Sequence, residues 1–238
     1  MKKMKNYFLY NFQRLNFIIS YLFSKGFKED KLIISELKNN SIIFDIGSNM
    51  GSFLKILSKK CKNINLSFHS FDPISSNIEF QQSIKFSVKH RFQFNNIAIS
   101  NFIGESEVYE NSISSQSTIK EEKFNIGKMV NKHKVQTLTV DEYCRMNNIF
   151  FIDLLKIDAE GSDLDVLHSA KKLLEKSSIN IIKMEIANDG KIFEGTLNFL
   201  SQYGYKLIGT VNHTFKNNEL ILFDCYFKRI NNSQDNFQ

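Results

Sequence analysis

From residue 41 onward, short apolar runs alternate with stretches whose apolar positions recur every three to four residues. The first pattern predicts buried strands and the second amphipathic helices. Strands are expected at Ser41 to Ile46, Ile64 to Phe71, Phe92 to Ile99, Phe151 to Ile157 and Ile179 to Ile186, with two more at Tyr205 to Val211 and Leu220 to Phe227. Helices are expected at Ser52 to Cys61, Ser75 to Val88, Asp141 to Asn147, Leu164 to Leu174 and Ile192 to Tyr203. Residues 104–140 break the rhythm with short polar hairpin-like pieces, among them Glu107 to Tyr109 and Val135 to Val140. Strands separated by helices imply parallel crossovers with helices on both sheet faces. Two strands in direct succession at the C-terminus cannot both add in parallel, so one is antiparallel. The expected fold class is α/β: a Rossmann-like, mostly parallel seven-stranded sheet over residues 41–230 with an antiparallel C-terminal strand. Residues 104–135 read as a flap over the site, and residues 231–238 as a disordered tail.

Residues 6–38 predict one or two amphipathic helices, read as a helical cap formed by residues 1–40. Charge bears on that segment, which holds eight lysines and arginines against three acids, whereas the whole chain carries only +6. A basic, apolar helix resting weakly on a membrane surface or a partner is the alternative. The rest of the chain is nearly neutral and lacks the basic stripe expected of a nucleic-acid grip. No run approaches the ~20 apolar residues of a membrane span. The three cysteines, Cys61, Cys144 and Cys225, have neither zinc nor disulfide spacing, which suits a reducing, cytoplasmic compartment.

Three strand ends carry candidate chemistry. The first strand runs through Asp45 into a turn, Gly47-Ser48-Asn49-Met50-Gly51, that opens a helix. Glycines permit a tight turn and close ligand approach. The spacing is D-x-G-x-x-x-G, not the G-x-G-x-x-G of a dinucleotide fold. An acid before the turn favours a zwitterionic, cationic ligand such as S-adenosylmethionine over a diphosphate. The second strand ends at Asp72, 21 residues after Gly51, where a carboxylate can accept both hydroxyls of a ribose; helix capping is the other role open to it. The third, Lys156-Ile157-Asp158-Ala159-Glu160-Gly161, places two carboxylates at the carboxyl rim of the sheet.

This last segment, with the Leu164 to Leu167 helix start that follows it, resembles the hallmark of the FkbM family of methyltransferases. Phe44 to Phe53 resembles that family's cofactor turn, Thr137-Leu138-Thr139-Val140-Asp141 its lead into the next helix, and Lys183-Met184-Glu185-Ile186 its acid-ended fifth strand. The likeness covers about residues 41–211. Asp72 stands where the family more often has Glu, and Val140 where Leu is usual.

The resemblance implies transfer of a methyl group from S-adenosylmethionine to an oxygen of a sugar, glycan or secondary metabolite. The expected cofactor contacts are Asp45, Gly47, Ser48, Asn49, Gly51, Asp72, Ala98, Ser115 and Asp158; Ser114 and Gln116 are further flap contacts to cofactor or acceptor. Asp158 is the first candidate base, with Glu160 and Glu185 next; these acids could instead hold Mg²⁺. His213, between the last two strands, is a further candidate. A nucleic-acid methyltransferase is disfavoured: with Pro73 the only proline, neither an N/D-P-P-Y/F loop nor a Pro-Cys nucleophile can exist. A non-catalytic nucleoside-binding module and an NAD-dependent oxidoreductase are the remaining alternatives.

Overall fold

The computed structural model describes residues 30–86, 89–111, 129–187 and 191–230. Seven strands form one sheet in the order β3-β2-β1-β7-β8-β10-β9: β1 (Ser41–Ile46), β2 (Leu66–Phe71), β3 (Arg91–Asn95), β7 (Ile152–Ile157), β8 (Ile179–Ala187), β9 (Tyr205–Lys216) and β10 (Glu219–Arg229). β1, β2, β3, β7 and β8 pair in parallel, and β10 runs antiparallel to both its neighbours. The order reverses between β1 and β7, the place where open α/β sheets bind ligands.

Both faces are covered. α2 (Ser52–Lys60) and the short α1 (Asp30–Ile33) pack on one, burying Ile33, Phe53, Leu54 and Leu57 against Ile43, Leu154 and Ile181. On the other, α4 (Val140–Met146), α5 (Asp163–His168), α6 (Lys171–Glu175) and α7 (Lys191–Ser201) pack against Phe44, Leu155, Ile157, Met184 and Ile186. α3 (Ser75–Ser83) stands beside the turn that opens α2. β7 is buried at every position, as an apolar run between two helical layers must be. Among the described residues no helix is long and apolar enough to cross a membrane.

The structure corrects several expected elements. The strand expected at Phe92 to Ile99 is two: β3 stops at Asn95, and β4 (Ala98–Ile99) joins a separate three-stranded sheet, β4-β6-β5. Asn95 and Asn96 donate their side-chain amides to the carbonyls of Ser70 and Asp72, which ends the ladder there. In the second sheet β5 (Gly104–Asn111) and β6 (Met129–Leu138) form a long antiparallel hairpin in place of short pieces. The helix expected at Leu164 to Leu174 breaks at Ser169, whose hydroxyl donates to Val166 O while accepting from Val140 N. α6 then restarts under a cap supplied from α4, since Asp141 accepts from the amides of Lys172 and Leu173. β9 reaches Lys216, and Asn217 and Asn218 turn the chain at φ 50° and 65°. Asparagine tolerates that left-handed region and favours such two-residue hairpins. His213 consequently lies inside β9 and not in a loop. Residues 1–29, the flap centre with Ser114, Ser115 and Gln116, and the tail at 231–238 lie outside the described residues.

Candidate functional site

β1 delivers Asp45 and Gly47 to the switch point. Gly47 adopts φ 71°, and a Cβ there would lie 1.7 Å from the Asp158 carbonyl oxygen, so only glycine lets the β1 turn approach β7. The amides of Gly47 and Ser48 both donate to Phe71 O at 3.0 and 3.1 Å, fastening the turn to the end of β2. Asn49, at φ 48°, donates its amide to Asp72 Oδ2 at 2.7 Å. Asp72 Oδ1 accepts from Ile74 N at 2.9 Å and Asn77 Nδ2 at 3.0 Å. Burial pushes the Asp72 carboxyl up to about 6, against the pull of those three hydrogen bonds. A carboxylate has about four acceptor positions, so one remains for a ligand hydroxyl. Asp72 thus ties the turn to the chain that leads into α3.

Behind the turn runs a row of charges set by strand register. Asp45 lies opposite Lys156, Lys156 opposite Lys183, and Glu185 opposite Asp224. Lys156 Nζ stands 2.9 Å from Asp45 Oδ1 and 3.2 Å from Asp158 Oδ2; Lys183 Nζ stands 2.9 Å from Asp224 Oδ2. Phe53 of α2 covers both ammonium groups, with its ring centroid 5.7 and 5.5 Å away. Asp45 is wholly buried and its Oδ2 has no hydrogen-bond partner. Burial raises its pKa against the pull of Lys156. Burial works against the Lys156 ammonium, yet Asp45 and Asp158 hold its pKa above the ordinary lysine value.

Asp158, Glu160 and Glu185 stand above this row. The loop between β7 and α5 passes through Glu160 at φ 46° and Gly161 at φ 90°. Asp163 ties it down, accepting from Ala159 N at 2.7 Å and Gly161 N at 3.1 Å. Asp163, and not Glu160, holds these loop amides. Replacing Asp163 with alanine should lower stability by about 1.5–3 kcal/mol, the range for hydrogen bonds to a charged group, read as a fall in denaturation midpoint without change of slope.

Neither Glu160 nor Glu185 has a hydrogen-bond or ion-pair partner among the described residues. Burial, reinforced by Asp158 and by Glu185, pushes Glu160 up to about 8. Burial, reinforced by Asp158 and Asp224, pushes Glu185 up to about 7. Both folded values exceed the ordinary 4.5, so their contribution to stability is complete below about pH 4.5 and is lost as pH rises through 7 to 8. The cofactor-free protein should therefore melt lower at pH 8.5 than at pH 6, and Glu160→Gln should narrow that difference; an unchanged difference would show that the pair does not set it.

Asp45, Gly47, Asn49, Gly51, Asp72 and Asp158, taken from three separate segments of the sequence, meet on one rim, flanked by Glu160 and Glu185. Ser48 turns inward and is 5% exposed, with its hydroxyl held by Gln81 and Ser70. Ala98 sits in the small sheet, in an apolar cluster with Ile74, Val108 and Val135. His213 bonds Thr210 and lies over Phe223, on the sheet face opposite Glu185 and Asp224. Among the described residues no three His, Cys, Asp or Glu side chains stand where they could together hold one metal ion. The sequence reading missed Gln81, Asp163, Lys183 and Asp224. Only Asp163 left a local signal, an acid in a helix's first turn.

The model of the methyltransferase FkbM domain matches residues 45–207. No curated protein matches the chain. The crystal structure of the FkbM methyltransferase from Methylobacillus flagellatus KT aligns with 79% of this chain at 15% identity and a TM-score of 0.50; at that identity the likeness is one of fold. The alignment spans 43% of that chain, less than half its length. A TehB-like SAM-dependent methyltransferase from Corynebacterium glutamicum ATCC 13032 aligns with 94% of this chain and 100% of its own, at 11% identity and a TM-score of 0.48. TrmK of M. capricolum, solved with S-adenosylhomocysteine, aligns with 86% of this chain and 68% of its own, at 11% identity and a TM-score of 0.48. With its family model covering both the glycine turn and the two acid-ended strands, the chain belongs to the FkbM methyltransferase family.

Proposed function

We propose that this chain is an S-adenosylmethionine-dependent O-methyltransferase acting on a hydroxyl of a sugar, glycan or secondary metabolite, with Glu185 as the base. The observation that carries the reading is a buried carboxylate oxygen, Asp45 Oδ2, and two glutamates on the same rim, none with a hydrogen-bond partner among the described residues, beside a glycine turn. These residues fit the cofactor. Asp45 offers an acceptor to an ammonium or its water, and Asp72 has one acceptor position left for a ribose hydroxyl. The turn's glycines bring bare backbone to the rim. Bound S-adenosylmethionine supplies an electrophilic methyl on a positively charged sulfur.

The chain's own residues do the rest. Aligning donor and acceptor can contribute ~7–11 kcal/mol. Asp45 and Asp158 flank Lys156, and Glu160 and Glu185 add negative charge as they ionise, which favours a cationic ligand over an anionic one. An alkyl hydroxyl attacks only as its proton leaves, so a positioned base is required. Asp158 has one oxygen held by Lys156 at 3.2 Å. Glu185 sits on a strand, has no hydrogen-bond or ion-pair partner among the described residues, and is pushed up to about 7, near the value best suited to a base at neutral pH. The nearly neutral body supports a small or glycan acceptor over a nucleic acid, and three buried cysteines that form no disulfide support a cytoplasmic setting.

Calorimetric titration with S-adenosylmethionine and S-adenosylhomocysteine, followed by transfer of labelled methyl to free sugars, polysaccharide and RNA, tests the reading. Micromolar binding with alkali-stable label on a sugar is expected. Absence of cofactor binding, or label found on RNA bases, would overturn it.

A further inference from the structure

We infer that Gln81 is a positioning residue for the cofactor turn: one wholly buried amide on α3 holds the peptide of Asn49 in the left-handed conformation that the bound cofactor needs. The inference rests on the cofactor reading above.

Gln81 is 0% exposed and points from the last turns of α3 into the underside of the turn. Its Nε2 donates to Ser48 Oγ at 2.9 Å and to Asn49 O at 2.5 Å. Its Oε1 accepts from Ser70 Oγ. Its Cγ fills the space beside Gly51, where an added Cβ would come within 2.9 Å. One side chain therefore touches positions 48, 49 and 51 of the turn and links them to β2. Both N–H groups and one acceptor position of the amide are satisfied, as a buried polar group requires.

The focus of these contacts is Asn49, which has φ 48° although it is not glycine. Among residues other than glycine, asparagine enters that region most readily but still shares it with ordinary φ, so contacts from outside the turn decide which is populated. Asn49 is gripped at both ends: its N–H by Asp72 Oδ2 and its C=O by Gln81 Nε2. Asp72 follows β2 and Gln81 lies on α3, so two segments fix the peptides on either side of one residue. Without the amide, the carbonyl of Asn49 can swing and the turn can relax toward ordinary φ. Cofactor binding then has to restore the turn each time, and affinity falls by the population lost.

A glutamine that only filled the core would change stability and leave affinity alone. The test therefore compares Gln81→Leu with Ile78→Val, a buried position on the same helix that does not touch the turn. S-adenosylhomocysteine is titrated calorimetrically into each full-length protein, and each Tm is measured. Gln81→Leu should weaken binding about tenfold, ~1.4 kcal/mol, while Ile78→Val changes it less than twofold at a comparable loss of Tm. Should Gln81→Leu bind within twofold of the unaltered protein, or no more weakly than Ile78→Val, the positioning role is wrong and Gln81 is a packing residue. Failure of the unaltered protein to bind would instead remove the cofactor reading itself.

Discussion

Gly47→Ala should destroy the site and much of the fold's stability together. A Cβ at this position meets the Asp158 carbonyl oxygen at 1.7 Å and its carbonyl carbon at 2.7 Å. Both are backbone atoms and cannot rotate away. The φ of 71° adds about 1–2 kcal/mol of left-handed strain. Relief requires the β1 turn to move off β7, which breaks the hydrogen bond from Asp158 N to Ile46 O and displaces the Asp158 carboxylate. The total should reach about 3–5 kcal/mol, the upper end of single-substitution effects. Cofactor affinity should fall on the order of a hundredfold or more, ~2.7 kcal/mol. Gly204 provides the control: its φ is 79°, but nothing lies within 4 Å of an added Cβ. Gly204→Ala should show the strain alone, about 1–2 kcal/mol, with affinity unchanged. Equal effects in the two variants, by urea denaturation and calorimetry, would mean that close approach to β7 is not what Gly47 provides.

The contrast between those glycines marks what a sequence can disclose. Asp45, Gly47, Asp72 and Asp158 were legible because each ends or follows an apolar run, and strand ends in an α/β sheet converge on one rim whatever the detailed packing. β1 matched at both ends because a doubly covered strand must be continuously apolar. The pairing of Lys156 with Asp45 was not legible. It depends on which residues fall opposite one another across β1 and β7, and nothing local specifies that register. Gln81 was hidden for a related reason: a single polar residue in a helix of weak amphipathicity has no spacing that announces its partners 30 residues away.

The misplaced boundaries share one cause. Phe92 to Ile99 reads as a single β-run, yet Asn95 and Asn96 bond to the carbonyls of Ser70, in β2, and of Asp72, just beyond it. The break between α5 and α6 depends on Ser169 and on Asp141, a residue 30 positions before the helix it caps. Tertiary hydrogen bonds overrode local preference at both points. His213 was misplaced because β9 continues through exposed polar residues to an Asn-Asn turn. Outer strands pack on fewer neighbours, so their ends show little apolar signal.

The electrostatics of the rim lead to the second large effect. Glu185→Gln should reduce turnover by ~10²–10⁴, the span attributed to a positioned general base, while leaving cofactor affinity within a few-fold, because the amide keeps the side chain's shape. In the unaltered enzyme the rate should rise with pH through an apparent value between 7 and 8 and level above it, since a base acts only when ionised. Burial and the neighbouring acids raise Glu185 and Glu160 to about 7 and about 8, and close carboxylates titrate as a pair. Glu160→Gln removes one like charge, so the remaining carboxylate should ionise more readily and the rising limb should move to lower pH with only a modest loss of rate. The two variants thus separate a base from its electrostatic neighbour: one loses rate at every pH, the other shifts the profile. A Glu185→Gln enzyme with more than half the original rate, or a rising limb that neither variant moves, would exclude Glu185 as the group that takes the hydroxyl proton.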